Sequence, residues 1–277
     1  LFQNLVEMAK ACWVPLNFLS ERGQQIKVFS QMTHAARELG FMIPTIRQNR
    51  DAHKESGYQG ATVLEAQTGA YYEPITALDF ASLYPSIMCA HNLCYSTLVM
   101  DKQYLDIPGV TYERFGPHVF ALEKNGVRIP SLLPVILERL KVYRKEAKKK
   151  MEECGKNDVL YNVYNGKQLA YKISMNSVYG FTGAVTKGIL PMMPIAETVT
   201  MRGRQMIEQS KNYVEEHFPG AKVRYGDTDS IMVQFDVGER KGIEAIEYSW
   251  KLGERASKEI SALFRSPNKL ELEKVYC

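Results

Sequence analysis

The sequence predicts an α+β fold, in which an antiparallel sheet with helices packed on one side carries an inserted helical hairpin. Two observations indicate the sheet. An apolar run leads into the carboxylate of Asp79, and a second run leads into that of Asp227. A third indicates the hairpin, since two long helical segments, 131–153 and 159–179, follow each other across a short loop. The 277 residues are enough for one large domain or two smaller ones.

The composition is that of a globular protein, with 45% apolar and 24% charged residues. The net charge of +4 is small, but residues 138–156 contain eight Lys or Arg against four Glu. Such a cluster is either a solvated helix face or a surface that meets phosphates. The five cysteines form no CxxC pair, so we expect reduced thiols of an intracellular protein rather than a zinc site. No apolar run is long enough to predict a membrane span.

The first third of the chain predicts helices, a loop and the first strands. Apolar residues at helical spacing predict helices over 1–13 and 25–39, the second ending at Gly40. The polar, aperiodic segment 47–57 predicts a loop. Short strands are expected at 61–65 and at 75–78, the latter leading into Asp79, and then a helix over 82–90 with Pro85 in its first turn.

The rest of the chain predicts the hairpin and a second set of strands. Residues 101–125 are broken by Gly and Pro and carry modest strand signals, and Ser131 is placed to cap the helix that follows it. The next helix, 159–179, is expected to end at Gly180. A helix over 194–217 then precedes a β-hairpin, 223–225 with 231–235, that has acids at its tip. A last helix, 243–264, and a last strand, 270–276, complete the pattern.

The carboxylates at these strand ends point to a divalent metal. Phosphoryl transfer needs charge neutralised and atoms aligned, and two ions about 3.5–4 Å apart do this in polymerases and nucleases. Such ions take hard oxygen ligands, and Mg²⁺ is preferred. We therefore predict Asp79 and Asp229 as bridging ligands, Asp227 as a neighbouring acid and the backbone carbonyl of Phe80 as a further ligand.

Each acidic element also has a simpler interpretation. A lone Asp at a strand end usually caps the following turn, and an Asp-Thr-Asp segment is more often a β-turn than a metal site. Both elements occur in this order with a polar helix between them, and that combination favours the metal site.

The helical hairpin offers groups that suit a nucleoside triphosphate. Lys172, Asn176 and Tyr179 share one helix face with Gln168, and the preceding helix presents Arg144 and Lys148 four residues apart. Arg binds phosphate in a bidentate manner, whereas Lys acts as a point charge. A polar stripe on an exposed helix is the alternative, but Tyr and Asn are poor choices for solvation alone.

Tyr84 follows Asp79 by five residues and lies in the first turn of the predicted helix, 82–90. A ring at that position would lie beneath an incoming sugar and oppose a 2′-hydroxyl, which favours deoxyribose. The backbone N–H groups of Ser82, Leu83 and Tyr84 would lie at the helix start, where they can bind phosphate oxygens. A lone aromatic residue on a helix is more often part of the core.

At these residues the sequence resembles the family B DNA polymerases. The segment Asp79-Phe80-Ala81-Ser82-Leu83-Tyr84-Pro85-Ser86 is similar to motif A of that family, Lys172 to Gly180 to motif B, and Tyr225-Gly226-Asp227-Thr228-Asp229-Ser230 to motif C. Tyr58-Gln59-Gly60-Ala61 resembles the element that links exonuclease and polymerase regions. Three further segments resemble the delta-type branch, which includes eukaryotic replicative polymerases and those of large double-stranded DNA viruses; they begin at Gly23, Ala90 and Phe181.

The resemblance implies roles for single residues. It makes Asp79 and Asp229 metal-binding aspartates and Tyr84 the steric gate, the ring that excludes ribonucleotides. The residues that meet the triphosphate in the fingers would be Arg144, Lys148, Lys172 and Asn176. Tyr179 would lie beside the nascent base pair, and Glu273 would be a further acid near the metals. The implied cofactors are two Mg²⁺ ions, for which Mn²⁺ can substitute.

The resemblance also implies an organisation and partners. Residues 1–59 would connect to an exonuclease region, 60–127 and 183–277 would form the palm, and 128–182 the fingers. The expected partners are primer–template DNA and dNTPs, with a sliding clamp and accessory subunits bound through regions outside this segment, and no membrane. The expected location is the nucleus of a eukaryotic cell or a viral replication site in a eukaryotic host. The alternatives are a non-catalytic DNA-binding module and a two-metal nuclease.

Overall fold

The structure is a computed structural model that describes residues 2–45, 59–155, 158–184 and 188–277. Its residues divide into two compact units. Leu1–Tyr58 with His91–Thr198 form the helical unit, and Gln59–Ala90 with Val199–Cys277 form the sheet unit. The loop predicted at 47–57, and Tyr58 of the linking element, lie outside the described residues.

Most of the predicted helices are present close to their expected bounds. The α-helices of the described residues, in chain order, are α1 (Phe2–Cys12), α2 (Phe18–Glu21), α3 (Gln24–Leu39), α4 (Leu83–Ala90), α5 (Leu132–Glu152), α6 (Val159–Gly183), α7 (Met193–His217) and α8 (Gly242–Ala262). Gly40 ends α3 in the left-handed conformation, as glycine at this position commonly does. None of the helices in the described part of the chain is both long and apolar enough to cross a membrane.

The strands form two antiparallel sheets. In chain order they are β1 (Val63–Leu64), β2 (Ile75–Phe80), β3 (Val110–Phe115), β4 (His118–Lys124), β5 (Val127–Arg128), β6 (Lys222–Asp227), β7 (Ser230–Gln234) and β8 (Leu270–Tyr276). The order in the larger sheet is β1-β6-β7-β2-β8, and the smaller sheet has the order β3-β4-β5.

The larger sheet lies wholly within the sheet unit. Its strand β2 is paired on both edges, with β7 on one side and β8 on the other, and α8 packs against β2 and β8. Leu78 is fully buried at the middle of β2, as an apolar strand between two neighbours requires. Antiparallel sheets with packed helices confirm the α+β class, and the division into palm and fingers stays a prediction.

The helical unit is built from α1, α3, α5 and α6, which pack on one another. The buried apolar residues of α5 include Leu133, Leu137 and Leu140. The small sheet follows α4 in the chain and precedes α5. The sequence predicted only weak strands in this segment. The strands form because Gly109, Gly116 and Gly126 adopt positive φ at the turns of the sheet instead of interrupting it.

Two expectations for the hairpin are wrong in detail. Ser131 occupies the N-cap position of α5, but its side chain makes no capping hydrogen bond; it hydrogen-bonds Oδ1 of Asn92 instead. The helix α6 continues through Gly180 to Gly183, since Met175, Val178 and Phe181 remain buried and packing outweighs the low helix propensity of glycine. Its start is capped by Asp158, whose side chain accepts from the Leu160 N–H at 2.8 Å.

Asn92 organises the connection between α4 and the small sheet. Its φ is +52°, and the residue is fully buried. Its Nδ2 donates to the carbonyl oxygens of Ala121, Leu122 and Ile129 at 3.4, 3.3 and 3.0 Å. Asparagine is one of the few residue types that adopt this backbone conformation readily, so a single side chain fixes both the turn and the segment that leads into α5.

Candidate active site

The candidate site lies at one end of the larger sheet, where the ends of β2 and β7 meet. The register pairs Asp79 with Ser230, and the Phe80 N–H donates to the Asp229 carbonyl oxygen at 2.8 Å. The two aspartates predicted as metal ligands are 150 positions apart in the chain. Adjacent strands place their backbones side by side, and both residues are half-buried.

The third aspartate, Asp227, ends β6 and pairs with Ser230 across a two-residue loop. Within this loop the Asp229 N–H donates to the Asp227 carbonyl oxygen at 2.5 Å, the i to i+2 contact of a γ-turn. Thr228, at the centre, has φ +47°, which is unfavourable for a β-branched residue. Backbone strain of this kind costs about 1–3 kcal/mol and concentrates at functional sites.

Two neighbours hold the strained turn in place. The Thr228 N–H donates to the Thr62 carbonyl oxygen at 3.2 Å, next to β1, and Thr228 Oγ1 donates to Oδ1 of Asp227 at 2.8 Å. Gly226 in the same strand allows close packing with β1, because a Cβ there would lie 2.7 Å from Cδ1 of Leu64. The tip of the hairpin is therefore positioned by β1 as well as by its own strands.

The electrostatics of the turn suit a cation. Partial burial, and to a smaller degree the neighbouring charge of Asp227, raise the pKa of the Asp229 carboxyl above its ordinary value. A divalent ion would relieve both effects. Within the described ranges there is no group of three or more His, Cys, Asp or Glu arranged to hold a metal.

The other side of the site is the turn that joins β2 to α4. Ser82 has φ +52°, so the chain reverses sharply after Asp79 before the helix begins at Leu83. The Ala81 N–H donates to the Lys269 carbonyl oxygen at 2.9 Å, and Ser86 Oγ donates back to the Ala81 carbonyl oxygen at 3.0 Å. The turn thus places Ser82, Leu83 and Tyr84 at the start of the helix, the end at which backbone N–H groups point out of the helix.

The predicted triphosphate-binding residues of the hairpin, Arg144, Lys148, Lys172 and Asn176, belong to the helical unit. Tyr143 of α5 meets Tyr171 of α6, with ring centroids 5.8 Å apart. Seven residues further along α5, Lys150 lies over the ring of Tyr164, seven residues earlier in α6. The two helices are therefore antiparallel. Arg144 follows Tyr143 and Lys172 follows Tyr171, so the two cations lie at the same level of the hairpin.

The exposure of these residues leaves them available to a ligand. Lys148, Lys172 and Asn176 are exposed, and Tyr179 is half-buried. Arg144 is also half-buried; burial lowers the pKa of its guanidinium group, and its Nε is buried without a hydrogen-bond partner. A buried guanidinium donor with no partner is costly, and an anionic group would remove that cost.

Glu273 occupies an irregular position in β8. The register shifts between Ala77 and Leu78, so Glu273 has no partner in the Cα register and forms a β-bulge. Its carboxylate pairs with Lys274 at 3.1 Å. The acid directly opposite Asp79 is Glu271, which sequence reasoning did not select and which pairs with Lys269 at 2.7 Å. Glu271 and Glu273 lie in one alternating segment, so the sequence does not distinguish them. Only the strand register identifies the acid opposite Asp79.

Comparison with known proteins identifies the family. The model of DNA polymerase family B matches residues 14–277, which is nearly the whole chain. This chain belongs to the family B DNA polymerases. The resemblance to family B is thereby confirmed, and the similar proteins include both delta catalytic subunits and a viral DNA polymerase.

Relatives of this family B chain include plant and viral polymerases. It is 48% identical over 283 residues to the DNA polymerase delta catalytic subunit of Glycine max and 46% identical over 282 residues to that of Arabidopsis thaliana, and each match covers 99% of this chain. It is 41% identical over 283 residues to a DNA polymerase of Paramecium bursaria Chlorella virus NY2A, covering 100% of this chain. The matches span 25% of each plant protein and 30% of the viral one, so the chain covers about a quarter of its relatives' length.

Proposed function

We propose that this chain carries part of the catalytic core of a DNA-directed DNA polymerase, a nucleotidyltransferase that works in DNA replication. The reaction transfers a deoxynucleotide from a dNTP to a primer 3′-hydroxyl under direction of a template and releases pyrophosphate. The observation that carries the proposal is the hydrogen bond from the Phe80 N–H to the Asp229 carbonyl oxygen. It joins the first acidic motif to the last and brings the backbones of Asp79 and Asp229 together at one end of the larger sheet.

The residues present fit a magnesium site. Asp79 and Asp229 would hold the metal together with the Phe80 carbonyl oxygen, and Asp227 would add negative charge beside them. When bound, two Mg²⁺ ions, or Mn²⁺ in their place, would make the 3′-hydroxyl more acidic and neutralise the charge of the leaving pyrophosphate.

The remaining predicted residues would bind and orient the nucleotide. Arg144, Lys148, Lys172 and Asn176 supply the cations and the amide that recognise a triphosphate, and the N–H groups of Ser82, Leu83 and Tyr84 add donors for phosphate oxygens. Tyr179 stacks beside the nascent base pair. The ring of Tyr84 opposes a 2′-hydroxyl and so selects deoxyribose. None of these groups needs to form a covalent bond, since positioning and charge neutralisation carry phosphoryl transfer.

The proposal includes the organisation implied by the family. Residues 60–127 and 183–277 form the palm, 128–182 the fingers, and 1–59 a connection to an exonuclease region. The partners are primer–template DNA and dNTPs, with a sliding clamp and accessory subunits bound elsewhere in the polymerase. The site of action is the nucleus of a eukaryotic cell or a viral replication site in such a host.

The test uses primer extension by the full-length polymerase that carries this chain. Asp79→Asn and Asp229→Asn each remove a proposed metal ligand without changing size, and each should abolish extension in Mg²⁺. Affinity for primer–template DNA should remain near wild type, because contacts to the phosphate backbone dominate it. Glu247→Gln is the matched control: it neutralises an exposed acid on α8, in the same unit, and should leave extension unchanged.

The outcomes separate the proposal from its alternatives. Robust extension by either aspartate variant would contradict the metal assignment. Absence of extension by the wild-type enzyme, with DNA binding intact, would favour a non-catalytic binding module. Cleavage of DNA without nucleotide-dependent pyrophosphate release would favour a two-metal nuclease.

A further inference from the structure

Gly203 lies in the interior of α7, a position where glycine is less favourable than alanine. A Cβ built on Gly203 would lie 3.2 Å from Cε1 of Tyr84, 3.6 Å from Cδ2 of Leu83 and 3.8 Å from Cδ1 of Ile87. Glycine therefore allows the start of α4 to approach the backbone of α7 closely. Both helix segments belong to the sheet unit.

The three contacts are not equivalent. Distances of 3.6 and 3.8 Å are ordinary van der Waals contacts, so the buried side chains of Leu83 and Ile87 would accept a methyl group at Gly203 without moving. The 3.2 Å contact with Tyr84 is tighter than most Cβ contacts. The aromatic ring of Tyr84 is therefore the group that a side chain at position 203 would displace.

We propose that Gly203 is a positioning residue for sugar selection, because its bare backbone is the surface against which the Tyr84 ring rests. The inference depends on the proposed role of Tyr84 as the steric gate. A gate of this kind works by repulsion, so its ring must not yield when a 2′-hydroxyl presses on it. The backbone of a long helix gives a rigid support, whereas a flexible side chain would not.

The repulsion that excludes ribose rises steeply with decreasing distance, so a few tenths of an ångström decide its size. A methyl group at position 203 would push the ring away from α7. The displacement changes how the site fits the sugar and leaves the proposed metal ligands in place. The effect should therefore appear in the KM for the nucleotide more than in kcat.

The experiment measures single-nucleotide incorporation of a dNTP and of its rNTP by the full-length polymerase. Gly203→Ala should raise the KM for the dNTP and change the ratio of the two kcat/KM values by about threefold or more. In the Tyr84→Ala background the same substitution should leave the ratio unchanged, because the atom that the methyl group would meet is gone. This double-mutant cycle isolates the coupling between the two positions.

Gly253→Ala is the matched control. Gly253 lies in α8 of the same unit, where a Cβ would be 2.8 Å from Cγ2 of Thr76 and 3.1 Å from Cδ1 of Leu272. Its substitution crowds the core at least as much but does not touch Tyr84. It should lower thermal stability and leave the ratio of dNTP to rNTP use unchanged.

The outcomes distinguish the positioning role of Gly203 from the steric-gate role of Tyr84 on which it rests. If Tyr84→Ala relaxes sugar selection while Gly203→Ala leaves it unaltered, the positioning role is wrong and the gate stands. Equal changes from Gly203→Ala and Gly253→Ala would also overturn the positioning role. If Tyr84→Ala leaves sugar selection unaltered, the gate itself fails, and the inference fails with it.

A Gly203→Ala variant that is too unstable for the kinetic assay still tests the positioning role. If Gly203→Ala melts below the assay temperature, the melting temperatures of two double variants are compared. Recovery by Tyr84→Ala supports a specific contact with the ring. Recovery by Leu83→Ala instead, or by neither substitution, contradicts it.

Discussion

The Phe80 N–H donates a hydrogen bond to the Asp229 carbonyl oxygen over 2.8 Å, one residue beyond Asp79 on β2 and one residue before the start of β7. This bond lies at the limit of the ladder between β2 and β7. It continues the pairing into the turn and keeps the two aspartates adjacent although Thr228 is strained. The proposed metal ligands are therefore positioned by a backbone hydrogen bond. Substituting the side chain of Asp79 or Asp229 would not remove this bond.

The first prediction concerns the folding free energy that the ionised Asp229 carboxylate costs when no metal is bound. Its folded-state pKa is raised, so its contribution to stability is complete below the unfolded pKa and is lost as the pH rises through the folded value. At neutral pH, in a chelator, Asp229→Asn should therefore melt slightly above wild type. The two melting curves should converge in acid, where both side chains are neutral.

Added Mg²⁺ extends this comparison, because a ligand that binds only the folded state stabilises it. Magnesium should raise the melting temperature of wild type and of Glu247→Gln but have little effect on Asp229→Asn. Equal stabilisation of all three proteins would place the metal elsewhere.

The second prediction concerns the cation on α6. Lys172→Ala in the full-length polymerase should raise the KM for dNTP and lower kcat, with a combined loss in kcat/KM of about tenfold or more, because an unscreened contact with a phosphate is lost. Lys149→Ala is the control, since Lys149 is an exposed cation of the same hairpin outside the proposed set. Steady-state kinetics that show equal effects for the two variants would contradict a specific phosphate contact. Lys172 would then contribute only to the general positive charge of the hairpin.

The third prediction concerns Asn92. Its amide donates to three carbonyl oxygens, so Asn92→Ala should lower the free energy of unfolding by about 2–4 kcal/mol in urea titrations. Asn92→Gly loses the same hydrogen bonds but tolerates φ +52°, and it should be about 1 kcal/mol more stable than the alanine variant. An alanine variant as stable as wild type would show that the turn does not depend on this amide.

The fourth prediction concerns thiol reactivity. Cys12 is fully buried, and burial raises the pKa of its thiol above the ordinary value despite the contact with Ser174 Oγ at 3.2 Å. Since the thiolate is the reactive form, Cys12 should resist iodoacetamide at pH 8 while the partly exposed Cys154 is modified. Mass spectrometry of timed digests gives the order, and modification of Cys12 at the rate of Cys154 in folded protein would contradict the buried environment.

Local sequence patterns predicted most of the elements. The predicted helices 1–13 and 25–39 correspond to α1 and α3, and the predicted strands 75–78 and 270–276 correspond to β2 and β8. The predictions failed where packing overrides local preference. Helix α6 passes through Gly180, and Ser131 hydrogen-bonds Asn92 rather than the first turn of α5.

The sequence alone was sufficient to determine the α+β class, the three motifs and the family, because each of these depends on residue types at short, regular spacings. Only the tertiary structure decided that the Phe80 N–H binds the Asp229 carbonyl oxygen, that Glu271 rather than Glu273 lies opposite Asp79, and that Gly203 supports the ring of Tyr84. These relationships join segments far apart in the chain. They depend on strand register and helix packing, which are set by the burial of the whole core rather than by any one segment.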